Sequence, residues 1–172
     1  PYLSRGLGDV YKRQVLAICI KKAGMEYSKA ISDLISPLTD KYVCPTCEGS
    51  FRTVLLDSMA PDKIREYQES GYRYHVAEKS DGTIVGVIGM REETHLYHLF
   101  VSDDHQGQGL SRKLWETAMS DAKTRVEVTS FTVNSAVNAE HVYLNFGFKR
   151  INGVRNRGGM VDIPMKLTLE SN

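Results

Sequence analysis

The chain has 172 residues, of which 41% are hydrophobic and 25% are charged. This length suits one domain with a single core, and the composition is unlike that of disordered or collagen-like chains. The 22 Lys and Arg residues balance 21 Asp and Glu residues, so the net charge gives no reason to expect a nucleic acid or a membrane surface as partner. The apolar run Val15–Ile20 is too short to cross a bilayer. We therefore expect a cytoplasmic protein in which any anion site is local.

The first fourteen residues, PYLSRGLGDVYKRQ, have no clear hydrophobic period and do not begin with Met. They resemble translated adapter sequence at the ends of metagenomic gene fragments. We expect residues 1–14 to be a non-native extension and residues 15–172 to form a single domain. The alternative is a genuine, poorly ordered N-terminus. On either interpretation a native first strand could be missing.

The first half of the chain predicts mainly helices. From Val15 to Leu38 apolar residues recur at helical spacing, which indicates two helices divided at Gly24. Residues 41–58 are less regular. Pro61 is tolerated in the first turn of a helix, so a further helix is expected from there to Ser70, with Gly71 as its C-terminal cap.

The second half predicts strands around one long helix. Strands are expected at 72–79, 83–90, 95–101, 126–133, 149–155 and 160–169. A helix opens at Gly109, and its apolar stripe is Leu110, Leu114, Trp115, Ala118, Met119 and Ala122. A shorter helix ends at Gly147, where Phe148 fits the hydrophobic contact of a Schellman cap. This order predicts a mixed α/β sheet with helices on both faces.

Three cysteines do not suit a disulfide framework. Cys44 and Cys47 form a CxxC pair, but no second CxxC or His pair completes a zinc site. The surrounding strand and helix order does not match a thioredoxin-like redox fold. We interpret the pair as incidental thiols and expect no metal.

The sharpest motif joins the strand His95–Val101 to the long helix through the loop Ser102–Ser111. Glycines at a helix start let unpaired backbone N–H groups converge, and the helix dipole adds positive potential there, so the loop could hold a pyrophosphate. A plain tight turn is the alternative. The third glycine of a dinucleotide-binding motif and the Gly-Lys-Ser/Thr of a Walker loop are both lacking.

Two segments resemble one family. Gln106-Gly107-Gln108-Gly109-Leu110-Ser111 resembles the Q/R-x-x-G-x-G/A loop of GNAT N-acetyltransferases, with Ser111 in place of the usual Gly or Ala. Asn138 to Phe148 resembles the family's A-x-x-x-Y-x-x-x-G-F signature. Further resemblance, at 85–89 and 164–167, extends the likeness over residues 72–169.

The resemblance implies a GNAT fold, a mixed sheet in which two parallel strands splay apart to form an acetyl-CoA cleft. Residues 15–172 would then be one N-acetyltransferase domain. The pantetheine arm would add to the backbone of Leu99, Phe100 and Val101. The implied pyrophosphate-binding set is Gln106, Gly107, Gln108, Gly109, Leu110 and Ser111, and Asn138 is a further cofactor residue. Tyr143 matches the family's general acid, although at its helical spacing it could instead be a core residue.

The general base stays unassigned, with four residues on or before the strand beside the thioester as candidates. Strand alternation predicts that His95 and His98 lie on opposite faces, so at most one would point into the cleft. Each could equally be a packed or surface histidine. Glu92 and Glu93 are the two carboxylate candidates.

The resemblance implies direct transfer of an acetyl group from acetyl-CoA, used as co-substrate without a metal, to a primary amine in a ternary complex. The acceptor is expected to be a small-molecule amine or a protein amine. The N-terminal half of the chain is expected to form the acceptor site. A homodimer is the assembly to test, and no nucleic acid or membrane partner is expected. The alternative is a non-catalytic acyl-CoA-binding module.

Overall fold

The computed structural model describes residues 17–171, so the expected extension at residues 1–14 lies outside the described part. Eight strands form one sheet: β1 (Cys19–Ala23), β2 (Arg73–Glu78), β3 (Ile84–Arg91), β4 (His95–Val101), β5 (Ser130–Ala136), β6 (Lys149–Arg150), β7 (Arg155–Arg157) and β8 (Met160–Thr168). The α-helices are α1 (Ser28–Leu38), α2 (Arg52–Asp57), α3 (Pro61–Glu69), α4 (Leu110–Arg125) and α5 (Glu140–Phe146). None of the helices between residues 17 and 171 has the length and apolarity needed to span a bilayer.

The sheet runs in the order β1-β2-β3-β4-β5-β8-β6, with β7 paired to β8. Every neighbouring pair is antiparallel except β4 and β5, which are parallel. That parallel ladder has only two pairs, His95 with Thr132 and Leu96 with Val133. Beyond Leu96 the two strands part, so the expected mixed sheet with splayed parallel strands is confirmed.

Helices cover both faces of the sheet. On one face α4 and α5 pack over a core that includes Leu114, Trp115, Phe131 and Met165. On the other face α1, α2 and α3 pack over a second core that includes Ile31, Ile35, Ile64 and Val76. The sheet is therefore buried on both sides, which is why β3 reads as a nearly continuous apolar run.

The prediction of a helix before Gly24 is wrong, because residues 19–23 form β1. This strand pairs antiparallel with β2, from Cys19 opposite Glu78 to Ala23 opposite Tyr74. The backbone hydrogen bonds of this segment go to β2, and not along a helix as the local apolar spacing had suggested. Gly24 still separates the two elements, and α1 follows it.

Two other boundaries shift. The strand expected from Val126 begins at Ser130, because the Val126 N–H still bonds to the Ala122 carbonyl at the end of α4. The strand expected over 149–155 is interrupted, and only β6 and β7 pair with β8. The remaining predicted helices and strands are confirmed to within a few residues.

A close approach between two strands requires glycine at position 89. A Cβ built on Gly89 would lie 2.5 Å from the Tyr74 ring. Tyr74 is almost fully buried, and its hydroxyl lies 2.9 Å from Nδ1 of His98. The ring therefore has little freedom to move away, so residue 89 has no room for a side chain.

We expect Gly89→Ala to lower the free energy of unfolding by about 1–3 kcal/mol through overpacking against Tyr74. Chemical denaturation measures the change. Gly49→Ala is the matched control, since a Cβ at Gly49 would meet no atom within 4 Å. Its unfolding should shift by less than about 0.5 kcal/mol. Equal stabilities for the two variants would contradict the packing assigned to Tyr74.

Candidate functional site

A cleft of about 600 Å³ opens where β4 and β5 part. It is lined by all but one of the residues that the sequence motifs singled out, namely Leu99, Phe100, Val101, Gln106, Gly107, Gly109, Leu110, Ser111, Asn138 and Tyr143. Gln108 is exposed and does not line the cleft. The fold thus brings together two motifs that lie more than twenty residues apart in sequence.

One side of the cleft is the free edge of β4. From Leu99 to Val101 this strand pairs with β3, but on the side of β5 it has no strand partner within residues 17–171. Buried backbone N–H and C=O groups need hydrogen-bond partners. An extended ligand could supply them here by adding to the edge like a strand.

The glycine-rich loop connects β4 to α4. Gly107 and Gly109 adopt φ angles of +76° and +77°, and a Cβ at either would meet open space. Backbone conformation, rather than crowding by protein atoms, therefore favours glycine at both positions. No side chain caps α4 at its Gly109 end, so its first N–H groups remain available to an anion.

Polar side chains near this loop are engaged by the protein. Nε2 of Gln106 donates to the Val101 carbonyl at 3.1 Å. The Arg112 guanidinium donates to the Asn145 carbonyl at 2.8 Å and lies over the Phe146 ring. Arg112 thus ties α4 to the end of α5. Arg112 also lines the cleft, so its remaining N–H donors could add to the uncapped main-chain N–H groups of the loop in holding an anion.

Tyr143 lies on α5 at the opposite side of the cleft and is held by the cap of that helix. The Phe148 N–H bonds to the Tyr143 carbonyl at 2.9 Å and the Gly147 N–H to the Leu144 carbonyl at 3.0 Å, which is the predicted Schellman motif. The Tyr143 ring packs edge-on against Phe146 and Phe148.

The Tyr143 side chain is only 7% exposed, and it belongs to the core on that face of the sheet as well as to the cleft wall. Its hydroxyl makes no side-chain hydrogen bond to any residue between 17 and 171. Burial raises the pKa of this phenol above its usual value. Tyr143 therefore stays protonated at neutral pH and can donate a proton into the cleft.

A segment that the sequence did not single out crosses the cleft. The π-helical turn Thr39–Val43, which we call the strap, follows α1 directly. The Tyr42 hydroxyl donates to Asp103 at 2.5 Å, and Lys41 Nζ lies 2.8 Å from the same carboxylate. Asn138 Nδ2 donates to the Tyr42 carbonyl at 2.8 Å. Because Asp103 follows β4 and Asn138 follows β5, the strap joins both lips of the cleft.

The strap, the helices beside it, β4 and the start of β8 contribute apolar side chains to the lining of the cleft. We define the apolar wall as Leu38, Val43, Leu55, Met59, Tyr97, Phe100 and Met160. Most of these residues come from the N-terminal half, where the acceptor site was expected. No Asp or Glu is among the residues that line the cleft.

The prediction that His95 and His98 occupy opposite faces of β4 is wrong. His95 pairs with Arg91 and His98 with Gly89, and Tyr97 is an extra residue at a register shift between them. Because Arg91 and Gly89 are two residues apart on β3, the two histidines share a face. Sequence alternation could not indicate this bulge.

Of the two histidines, only His98 lines the cleft. Its ring is 4% exposed, and burial lowers its pKa to about 3. His95 Nδ1 lies 2.7 Å from the Thr132 hydroxyl, and burial, followed by the charge of Arg91, lowers its pKa to about 4. Both imidazoles are therefore uncharged at neutral pH.

The carboxylate candidates lie outside the cleft. Glu93 forms ion pairs with Arg125 at 2.7 Å and Arg73 at 3.1 Å. The hydrogen bond from Arg125 is the main reason that the pKa of Glu93 is lowered. Glu92 is exposed, and neither residue lines the cleft.

The two cysteines of the CxxC pair follow the strap in a 3₁₀ turn. Cys44 is buried, and burial raises the pKa of its thiol. The Cys47 sulfur lies 3.7 Å from that of Met160. Over residues 17–171 no group of three or more His, Cys, Asp or Glu side chains is arranged to hold a metal ion.

Two curated N-acetyltransferases match about half of the chain in sequence. A 93-residue segment is 33% identical to human N-acetyltransferase 8B, covering 48% of this chain and 40% of that one. The chain thus spans less than half the length of the curated relatives it matches.

Solved structures match over most of the chain. PaiA N-acetyltransferase from Thermoplasma acidophilum, solved with coenzyme A, superposes with a TM-score of 0.72 at 14% identity, covering 88% of this chain and 99% of that one. Spermidine N-acetyltransferase from Vibrio cholerae, solved with CoA and spermine, gives 0.60 at 18% identity, with 88% and 95% covered. At these low identities the superpositions show a shared fold.

The acetyltransferase (GNAT) domain model matches residues 38–169, well over half of the sequence. This span contains the splayed strands, the glycine-rich loop and α5, the elements that form the cleft. The chain therefore belongs to the GNAT acetyltransferase family.

Proposed function

We propose that this protein transfers an acetyl group from acetyl-CoA directly to a primary amine in a ternary complex. The observation that carries the proposal is the cleft between β4 and β5. It is lined by a glycine-rich helix start and by the largely buried side chain of Tyr143. Membership of the GNAT family supports acyl-CoA-dependent N-acetyl transfer in general. The acetyl group, the direct mechanism and the residue roles are the parts we propose.

The loop from Gln106 to Ser111 would hold the cofactor's pyrophosphate. The N–H groups at the start of α4 and the positive end of its dipole suit two adjacent phosphates. Arg112 lines the cleft and uses one donor on the Asn145 carbonyl, so its charge would add to the main-chain donors. Asn138 Nδ2 is bound to the strap, so its role toward the cofactor would act through holding the strap in place.

The pantetheine arm would add to the free edge of β4 at Leu99, Phe100 and Val101. A main-chain N–H at this edge would polarise the thioester carbonyl. One preorganised donor of this kind contributes about 10²–10³ in rate. The parting of β4 from β5 leaves this edge open to the ligand.

Tyr143 would act as general acid. The amine nitrogen attacks the thioester carbon, the C–S bond breaks, and Tyr143 gives its proton to the departing thiolate. The amine nitrogen gives up one proton to water as the amide forms, and a proton from water restores the Tyr143 phenol, so one proton leaves nitrogen and one arrives at sulfur. A phenol whose pKa is raised by burial is fully protonated before the reaction and available as the donor.

No protein base with a pKa near neutrality is needed if the amine binds uncharged. Of the four candidates only His98 lines the cleft, and its lowered pKa makes it a weak proton acceptor. Burial against the apolar wall removes water from a charged group, so it disfavours an ammonium group as it disfavours the charged form of histidine. We therefore propose that the acceptor binds as its free base.

This proposal predicts the pH dependence of kcat/KM. An alkylamine has an ammonium pKa near that of lysine, about 10.4, so its free-base fraction rises about tenfold per pH unit between pH 6 and 8. The rate constant should follow that rise. His98 and His95, with pKa values of about 3 and 4, are already neutral at pH 6 and should add no inflection. An inflection between pH 6 and 7 would show that a protein base titrates there.

If Tyr143 is the general acid, its hydroxyl should affect kcat and leave the affinity for acetyl-CoA unchanged. Tyr143→Phe removes one hydroxyl but keeps the ring that packs against Phe146 and Phe148. We expect kcat to fall about 10²-fold or more, while the dissociation constant of acetyl-CoA stays the same. Steady-state kinetics and calorimetry measure the two quantities. Wild-type turnover would identify Tyr143 as a core residue without a role in catalysis.

If the loop binds the pyrophosphate, Gly109→Val should weaken the binding of acetyl-CoA, which Tyr143→Phe should leave unchanged. Valine disfavours the positive φ of Gly109, so the backbone should shift and lose one hydrogen bond to a charged phosphate. Such a bond is worth about 1.5–3 kcal/mol, so the dissociation constant of acetyl-CoA should rise about 10- to 150-fold. Gly71→Val is the control, because Gly71 also has a positive φ and open space around it but lies away from the cleft. Its affinity should be unchanged. If both variants bind acetyl-CoA equally well, the loop is a plain turn.

A non-catalytic acyl-CoA-binding module is the alternative function. It predicts that wild-type protein binds acetyl-CoA through this loop but releases no CoA with any amine. Calorimetry together with a thiol-detection assay on an amine panel distinguishes the two functions.

A further inference from the structure

We propose that the acceptor is a small primary amine on an apolar body with no second positive charge, in contrast to a polyamine or the amino group of a protein chain. This inference rests on the proposed function and specifies the substrate class of the same site. Three properties of the cleft support it, namely its lack of acidic side chains, its apolar surface and the strap that crosses it.

The cleft lacks counter-charges for a polycation. No Asp or Glu lines it, and Asp103 and Asp162 are each paired with basic side chains. Asp103 is held by Lys41 and Tyr42. Asp162 is fully buried between Arg155 at 2.7 Å and Arg157 at 2.5 Å. A second ammonium group would lose its hydration without gaining a partner, which is unfavourable.

The apolar wall provides a surface for hydrocarbon. Leu38, Leu55 and Met59 are buried residues that also line the cleft. The Tyr97 ring is fixed edge-on against Tyr67 at 5.5 Å and Tyr72 at 5.2 Å. The side chains of the apolar wall can contact a hydrocarbon chain or an aromatic ring of the acceptor. Burying such a group favours binding.

The strap limits the size of the acceptor. It is hydrogen-bonded to Asp103 at the lip formed by β4 and to Asn138 at the lip formed by β5. An extended polypeptide needs an open groove to lie across the splayed strands. With the strap bonded on both sides, the cleft suits a molecule that enters end-on, with its amine toward the thioester.

The first test compares three acceptors with wild-type protein and acetyl-CoA, following CoA release. The probes are 2-phenylethylamine, spermidine and a short lysine-containing peptide. We expect kcat/KM for 2-phenylethylamine to exceed the other two values by at least about tenfold, equivalent to 1.4 kcal/mol. Equal or faster turnover of spermidine or the peptide would overturn the inference. Bound acetyl-CoA with no CoA release from any of the three would instead contradict the proposed function.

The second test uses straight-chain amines from ethylamine to hexylamine, which share one ammonium pKa range and differ in apolar length. If the apolar wall contacts the acceptor body, kcat/KM should rise up to about fourfold for each added methylene. A flat series would overturn the contact with the apolar wall.

The third test places a carboxylate in the apolar wall. Val43→Asp adds a negative charge within the strap, and Val43→Asn is the matched polar, uncharged variant. We expect the ratio of kcat/KM for spermidine to that for 2-phenylethylamine to be at least about tenfold higher in the Asp variant than in the Asn variant. Circular dichroism of both variants checks that they fold alike. Identical ratios in two folded variants would show that charge at this wall does not select the acceptor.

Discussion

The cleft depends on one constraint, the short parallel ladder between β4 and β5. Two residue pairs hold these strands together, and beyond Leu96 they part. Each strand keeps its other neighbour, since β4 pairs with β3 to Val101 and β5 pairs with β8 to Ala136. The sheet therefore stays intact on both sides while one internal edge has no strand partner among the described residues. Backbone N–H and C=O groups along such an edge favour a hydrogen-bond partner, which is why we propose it as the site of an extended ligand.

The helices at the two lips are set by the same separation. The α4 helix starts at the end of β4, and α5 follows the end of β5. Trp115 of α4 packs against Phe131 of β5 and Phe148, which joins the lips through one aromatic core. The free N–H groups of α4 and the hydroxyl of Tyr143 thus face a common space. Packing on one side of the sheet fixes the relative positions of the groups that would bind and react.

Electrostatics and packing leave no Asp or Glu among the described residues that line the cleft. Glu93 and Asp162 form ion pairs with arginines, His98 is kept uncharged by burial, and Arg112 lines the cleft at the start of α4. An apolar wall without a carboxylate favours the uncharged forms of both an amine and a phenol. The same property that would keep Tyr143 protonated would bring the acceptor in as a free base, so both reactants are in the required protonation state before they meet.

Much of the site is encoded locally. The glycine-rich loop and the Schellman cap at Gly147 depend on a few consecutive residues, because positive φ angles and helix caps are short-range properties. The helical stripe of α4 and the apolar strand β3 follow likewise from hydrophobic periodicity. From these features the sequence by itself determined the family resemblance, the mixed sheet and the two motifs that line the cleft.

Tertiary structure alone decided the rest. The strap depends on hydrogen bonds from Tyr42 to Asp103, 61 residues away, and from Asn138, 96 residues away. The strand β1 exists because β2 is beside it, and the bulge at Tyr97 places two histidines on one face. Each of these contacts joins distant segments whose pairing no local pattern specifies, and their energies are realised only once the sheet has brought the segments together.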